Sequence, residues 1–352
     1  MASLVSPLRI GNLDLKHRVV LAPLTRNRAD DQHVPLGLMR EYYAQRASVP
    51  VPCGTNNVPG IWNDAQIKQW KTITDAVHAR GSYIFCQIWA LGRAANPEVL
   101  SRTGDHVISS GNIPLTESSP VPKPLEEEEI VDWIQDYVRA AKNAIAAGFD
   151  GVEIHGANGY LPDQFLQDTA NNRTDRWGGS VENRSRFGLE VAKAVSEAVG
   201  AEKTGYRVSP WSTFQGMRMN NFQEQFTNLI HGLGGLKLAY LHFVEPRISG
   251  SQTVEDSVEQ NDQFMFDAFG NSGVIILAGG FTAESATEKL RLHPTRDIAF
   301  AFGRHFLANP DLPFRIANEI PFNQYERATF YTPKSPIGYV DYPFSPQFVA
   351  KA

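Results

Sequence analysis

The sequence predicts an α/β fold, a β/α barrel of the TIM type preceded by a short β-hairpin. Apolar runs of strand length alternate along the chain with amphipathic helical segments, which argues for a parallel sheet sheathed in helices. The main polar clusters fall just after the carboxyl ends of several different strands, where barrel enzymes place their chemistry. A doubly wound sheet fits the alternation as well, and it is the spread of polar clusters over many strand ends that favours the barrel. At 352 residues the chain has the length of one barrel with loop insertions, read as a single domain over residues 1–352.

The elements follow in order. Leu8-Arg9-Ile10 and Leu13-Asp14-Leu15 alternate in polarity around Gly11-Asn12, the pattern of a tight hairpin. Seven apolar runs then read as strands: Val19 to Leu24, Tyr83 to Trp89, Gly151 to His155, Thr204 to Ser209, Ala239 to Val244, Val274 to Ala278 and Ile298 to Phe302. Helical periodicity marks Leu36 to Ala47, Asp64 to Arg80, Glu126 to Ala147, Val181 to Val199, Phe222 to Leu233, Asp262 to Phe269 and Ala283 to Arg291. The acidic run Glu126 to Glu129 reads as a solvated helix start, its carboxylates facing the positive end of the dipole. Ser118 to Pro124 reads as an extended loop. An eighth strand belongs between the first two helices, but Val49 to Trp62 carries Pro50, Pro52, Gly54 and Pro59. Val49 to Cys53 is at most a stub, because proline is poorly tolerated in a central strand. The second barrel strand is therefore expected to be missing or vestigial.

Composition narrows the class of function. Hydrophobic residues make up 42% and charged residues 20%, enough for one large core. Lys plus Arg number 33 against 38 for Asp plus Glu, a formal charge of −5, so neither a nucleic-acid nor a membrane surface is expected. The two cysteines, Cys53 and Cys86, form no CxxC pair, which fits a reducing compartment. No secretory pattern opens the chain, no run of about 18 apolar residues spans a bilayer and no targeting signal closes the chain. A cytoplasmic enzyme, monomeric or homodimeric, is the expectation.

The most informative segment is Gly151-Val152-Glu153-Ile154-His155-Gly156-Ala157-Asn158-Gly159-Tyr160. A buried strand ends at His155, and two glycines keep the backbone tight so that His155, Asn158 and Tyr160 reach one pocket. Two neutral hydrogen-bond donors and a phenol suit a carbonyl that gains negative charge as hydride arrives, with the phenol supplying a proton. From spacing alone, a hydrogen-bonded histidine and a packed tyrosine are an equal alternative.

This segment continues through Leu161-Pro162-Asp163-Gln164-Phe165-Leu166 and Asn172-Arg173-Thr174-Asp175-Arg176-Trp177-Gly178-Gly179-Ser180-Val181-Glu182-Asn183-Arg184. Together they resemble the old yellow enzyme family of flavin ene-reductases, and the similarity runs from Ser6-Pro7-Leu8 to Asp341-Tyr342-Pro343. The resemblance implies an eight-stranded barrel with FMN bound non-covalently at its mouth and NADPH as reductant. It assigns Pro23 and Thr25, in Ala22-Pro23-Leu24-Thr25, to the flavin, the threonine hydroxyl bonding the carbonyl next to N5. Gln87 matches the glutamine on the pyrimidine edge, and Arg207 the cation beside N1. Gly279 and Gly280, with Gly303 and Arg304, match the phosphate site, where glycine permits close backbone approach. His155 and Asn158 match the pair that holds the substrate carbonyl, and Tyr160 the proton donor. Trp89, Phe330 and Tyr331 match aromatics that shape and close the pocket. An enone- or enal-type small molecule would be the substrate.

Where the family continues with an apolar second strand and a glycine-rich loop, this chain has Val51-Pro52-Cys53-Gly54-Thr55-Asn56, about a dozen residues short. A closed barrel couples strand number to tilt and shear, so the loss exposes two edges and puts flavin binding under test. Two other functions compete with NADPH-driven alkene reduction: an isomerase or cyclase of a biosynthetic pathway on the same scaffold, and a catalytically impaired relative with weakened flavin binding.

Overall fold

The computed structural model describes residues 2–46, 56–250, 252–253 and 262–350. Seven strands form one parallel sheet: β1 (Val19–Leu21), β2 (Phe85–Ile88), β3 (Gly151–His155), β4 (Thr204–Val208), β5 (Tyr240–Val244), β6 (Val274–Ala278) and β7 (Ile298–Phe302). Their order is β1-β7-β6-β5-β4-β3-β2, every pairing parallel. Each run expected to be a strand is one. Four are shorter than expected: β1 because Pro23 ends the ladder, β2 by two residues at its start and one at its end, and β4 and β5 by one residue each.

Period-two alternation divides the side chains between two cores. Outward residues such as Cys86, Ile88, Val152, Ile154, Tyr206 and Val208 pack under the helices in the main cluster. Inward residues Ala22, Tyr240, Ile276, Ala278, Ala299 and Ala301 form a separate inner cluster with Leu8 and Ile10 of the hairpin. Phe85 of β2 meets Tyr240 of β5 with ring centroids 5.5 Å apart, although two strands lie between them in the sheet. That contact crosses the interior and shows the sheet curled into a barrel. The hairpin, Leu8–Ile10 paired with Leu13–Leu15, brings apolar side chains to this inner cluster.

The sheath is built as the periodicity predicts. Its helices are α1 (Gly37–Arg46), α2 (Asp64–His78), α3 (Glu127–Ala146), α4 (Val181–Val199), α5 (Phe222–Gly235), α6 (Gln263–Phe269) and α7 (Ala283–Leu292). The α3 face Ile130, Ile134, Tyr137, Ala141 and Ala144 is buried at helical spacing. The acidic run does open α3: Glu129 accepts from the Glu126 backbone N–H at 2.8 Å. In the segment read as an extended loop, Lys123–Pro124 pairs with Ile108–Ser109 in a two-residue parallel bridge.

Among the described residues no strand lies between β1 and β2, which are the two edges of the sheet. The expected stub at Val49 to Cys53 lies outside the described residues. No helix among them is long and apolar enough to cross a membrane.

Candidate active site

The seven strands end, at their carboxyl side, around a cavity of about 1130 Å³, slightly above the roughly 300–1,000 Å³ of ordinary small-molecule sites. Every residue expected at the site from the sequence lines it: Pro23 and Thr25 after β1, Gln87 and Trp89 on β2 and beyond, His155, Asn158 and Tyr160 after β3. Arg207 comes from β4, Gly279 and Gly280 from the end of β6, Gly303 and Arg304 from the end of β7, and Phe330 and Tyr331 from the late loop.

Local structure sets the β3 cluster. A Cβ on Gly156 would lie 2.3 Å from the Tyr206 ring, so only glycine lets the chain turn off the strand there. Asn158 is left-handed, at φ 57°, with its backbone N–H bonded to Ser209 Oγ at 2.7 Å. Gly159 donates to Asp163 Oδ2 at 2.8 Å, and Asp163 sits in the first turn of a fully buried helix, Leu161–Leu166, that starts after Tyr160. This short helix carries its own start signal in the sequence, an early proline followed by an aspartate. It aims Tyr160 into a ring of aromatics: its centroid lies 4.6 Å from Trp89 and 5.0 Å from His155, both edge-on.

Electrostatics give these groups distinct states. Burial, with the Arg207 cation nearby, holds the His155 imidazole well below its ordinary value, so it is neutral. Burial pushes the Tyr160 phenol up to about 12, offset in part by the Gln215 side chain. Burial also lowers Arg207, and the neighbouring Glu153 charge opposes that.

Below these residues lies a polar cluster that the sequence reading did not single out. Glu153, two residues before His155 and so on the same inward face, accepts from Gln87 Nε2 at 2.6 Å and pairs with His242 Nδ1 at 2.9 Å. The signal was available: a carboxylate at an inward position of the buried run GVEIH, and a histidine likewise in YLHFV.

On the opposite side, Gly279 (φ 150°) and Gly280 (φ 71°) adopt backbone that a side chain resists. A Cβ on Gly280 would lie 3.9 Å from Arg304 Nη2, so the guanidinium overhangs this bare backbone. Tyr331 is half exposed over the cavity, whereas Phe330 is buried beneath it, in contact with Tyr325 and the Arg26 guanidinium.

The residues fit an FMN. Trp89 Nε1, His155 Nδ1 and Arg207 Nε are buried without a hydrogen-bond partner within the protein, polar atoms facing a cavity that a polar ligand would satisfy. The donor set matches an anionic phosphate at one end and a planar heterocycle with a hydrogen-bonding edge at the other.

Comparison with known proteins agrees with this geometry. The family model described as the NADH:flavin oxidoreductase / NADH oxidase family matches residues 3–323. The chain is similar to a chanoclavine-I aldehyde reductase of Penicillium roqueforti, 52% identical over 363 residues that cover 99% of this chain and 98% of the relative. It is also similar to a probable inactive dehydrogenase of Claviceps fusiformis, 45% identical over 99% of this chain and 96% of that protein. Among solved structures, the old yellow enzyme from Trypanosoma cruzi superposes with a TM-score of 0.89 at 32% identity, covering 97% of this chain and 98% of that one.

Proposed function

The chain belongs to the NADH:flavin oxidoreductase / NADH oxidase family, the FMN-dependent oxidoreductases of old yellow enzyme type, and from that premise we propose that it uses NADPH to reduce a carbon–carbon double bond conjugated to an aldehyde or ketone. One observation carries the reading. A neutral imidazole, an amide and a protonated phenol converge on the mouth that Gln87, Arg207 and a glycine-lined backbone also face.

With NADPH as reductant, FMN held at the mouth would supply hydride-transfer chemistry toward the β-carbon of the alkene. His155 and Asn158 hold the carbonyl oxygen and donate to it as negative charge builds there. A neutral His155 suits this role, since its N–H donates without first losing a proton to the substrate. Tyr160 gives its proton to the α-carbon, and a phenol raised to about 12 still carries that proton at neutral pH. Pro23, Thr25 and Gln87 seat the flavin ring, Arg207 places a fixed cation beside it, and Gly279, Gly280, Gly303 and Arg304 hold the phosphate. Trp89, Phe330 and Tyr331 shape the substrate's approach. The name of the Penicillium relative, an aldehyde reductase, supports an aldehyde as the conjugated carbonyl.

A second reading, a chain that has lost the reaction, is favoured by the two sheet edges left among the described residues and by the name of the Claviceps relative. One anaerobic experiment separates them. The purified protein loaded with FMN is expected to bleach with NADPH and to regain its yellow colour with cyclohexenone. In Tyr160→Phe the bleaching should persist while recolouring slows by roughly 10²–10⁴-fold. A protein that stays colourless in FMN sinks the proposal, and equal slowing of both halves sinks the role of Tyr160.

A further inference from the structure

The inner face of the barrel holds a buried charge that the proposed reaction does not use. Glu153 is 4% exposed and His242 is 1% exposed, beneath the mouth and above the apolar inner cluster. The strand register places them: Gln87 stands opposite Glu153, His155 opposite Arg207, and Arg207 opposite His242. All five are on inward positions in two neighbouring rows, so a polar patch crosses β2 to β5, with Gln87, His155 and Arg207 lining the mouth and Glu153 and His242 behind them.

We infer that Glu153, braced by His242, is a positioning residue that fixes the orientation of the Gln87 amide and sets the net charge beside Arg207, and so controls how tightly the mouth holds FMN and how readily the flavin accepts electrons.

A glutamine side chain presents a donor end and an acceptor end that rotate freely, whereas the pyrimidine edge of a flavin has a fixed order of carbonyl, N–H and carbonyl. A carboxylate at 2.6 Å can only accept, so it binds the Nε2 end of Gln87 and removes the flipped arrangement. The other Glu153 oxygen is held by His242 Nδ1 at 2.9 Å. Burial lowers the His242 imidazole and leaves it neutral, so Nδ1–H donates and Nε2 carries the lone pair, buried without a partner. Burial alone would raise the Glu153 carboxyl, but His242, Arg207 and Gln87 together hold it down to about 2, so it stays anionic.

The charge has its own consequence. Arg207 gives the mouth its cation, and Glu153 is the counter-charge buried beside it. With both present the local field is close to balanced. Without Glu153 an uncompensated cation would favour the anionic reduced flavin.

This inference rests on the reading that FMN occupies the mouth, and the test distinguishes the two. Apoprotein is titrated with FMN, and the midpoint potential of each holoprotein is measured by dye equilibration. The variants are Glu153→Gln, Glu153→Asp, Gln87→Ala and the Glu153→Asp/Gln87→Ala pair. Glu153→Gln removes the charge at nearly constant shape and is expected to move the potential in the positive direction. Glu153→Asp keeps the charge but draws the carboxylate back from Gln87. It is expected to leave the potential near that of the parent and to weaken FMN binding about tenfold. That weakening should vanish in the Gln87→Ala background, as it must if it acts through the amide. An unchanged potential in Glu153→Gln, or full weakening by Glu153→Asp with Gln87 absent, overturns the inference. If Glu153→Gln does not fold, the Asp and Ala cycle decides alone. A parent chain that takes up no FMN overturns the reading of the mouth, and this inference with it.

Discussion

Asp163 shows how one buried side chain links the site to stability. It is fully buried, and its two oxygens accept from the Gly159 backbone and from Gln167 Nε2 at 2.8 and 2.7 Å. Burial pushes its carboxyl up to about 6, with those two bonds opposing. The folded chain therefore holds this proton more tightly than the unfolded chain does. The resulting stability is full below about pH 4 and is lost as pH rises through about 6, up to about 3 kcal/mol in all. Asp163→Asn cannot titrate, so the variant should gain on the parent by on the order of 2 kcal/mol between pH 4.5 and 7.5, read from denaturant unfolding at each pH. Stability curves that run parallel across this window would refute the assignment. The residues beside Asp163 show what was legible. His155, Asn158 and Tyr160 stood out because polar groups at the end of an apolar strand need a reason. Glu153 and His242 do not, because a lone polar letter inside an apolar run says nothing of what it bonds, and Asp163 reads as no more than part of a helix start.

At the scale of elements, the late loop carrying Phe330 and Tyr331 is held by the segment after β1. Arg28, 1% exposed, donates through its guanidinium to the carbonyls of Ser335, Phe330 and Thr329, each at 3.0 Å, and lies over the Tyr339 ring at 4.8 Å. Arg26 donates to the carbonyls of Phe330 and Gly338 at 2.9 and 2.7 Å. The loop thus has few apolar anchors and many bonds to two guanidinium groups. Arg28→Met keeps much of the apolar stem but removes the donor to the Ser335 and Thr329 carbonyls, while Phe330 keeps its bond from Arg26, at roughly 1–3 kcal/mol for each carbonyl left buried and unpaired. Limited proteolysis should then cut within residues 329–338 faster than in the parent, and unchanged cleavage would show that the loop is fixed by other means. No periodicity in the sequence announces this clamp, since both ends are irregular segments about three hundred residues apart.

For the whole molecule, the firmness of the mouth sets how well it holds its flavin. Between β1 and β2 the described residues supply no pairing partner. Close to that side a cavity of about 680 Å³ reaches in from the hairpin residues Leu13 and Leu15 as far as Glu153 and His242. Yet all seven strand ends reach the mouth, six with expected site residues and β5 with Val244. A ligand that binds only the folded state stabilises it by about 2.7 kcal/mol at a hundred times its dissociation constant. FMN at that excess is expected to raise the melting temperature by a few degrees, while riboflavin, which lacks the phosphate, should raise it less. Equal shifts would remove Gly279, Gly280, Gly303 and Arg304 from the phosphate site.

The sequence by itself determined the strands and the helices, because apolar runs of strand length and a period of 3.6 are local properties of burial and side-chain direction. It also marked seven strands and, between α1 and α2, a proline-rich stretch with room for a stub at most, which lies outside the described residues. Only the tertiary structure decided which inward residues meet. The parallel register sets Gln87 opposite Glu153, and the curl of the sheet lets His242, one row further on, reach Glu153 from two strands away; strand pairing across crossovers is set by how helices pack on the sheet. The same packing curls the sheet until Phe85 touches Tyr240, and that curvature gathers groups from seven strand ends into one mouth.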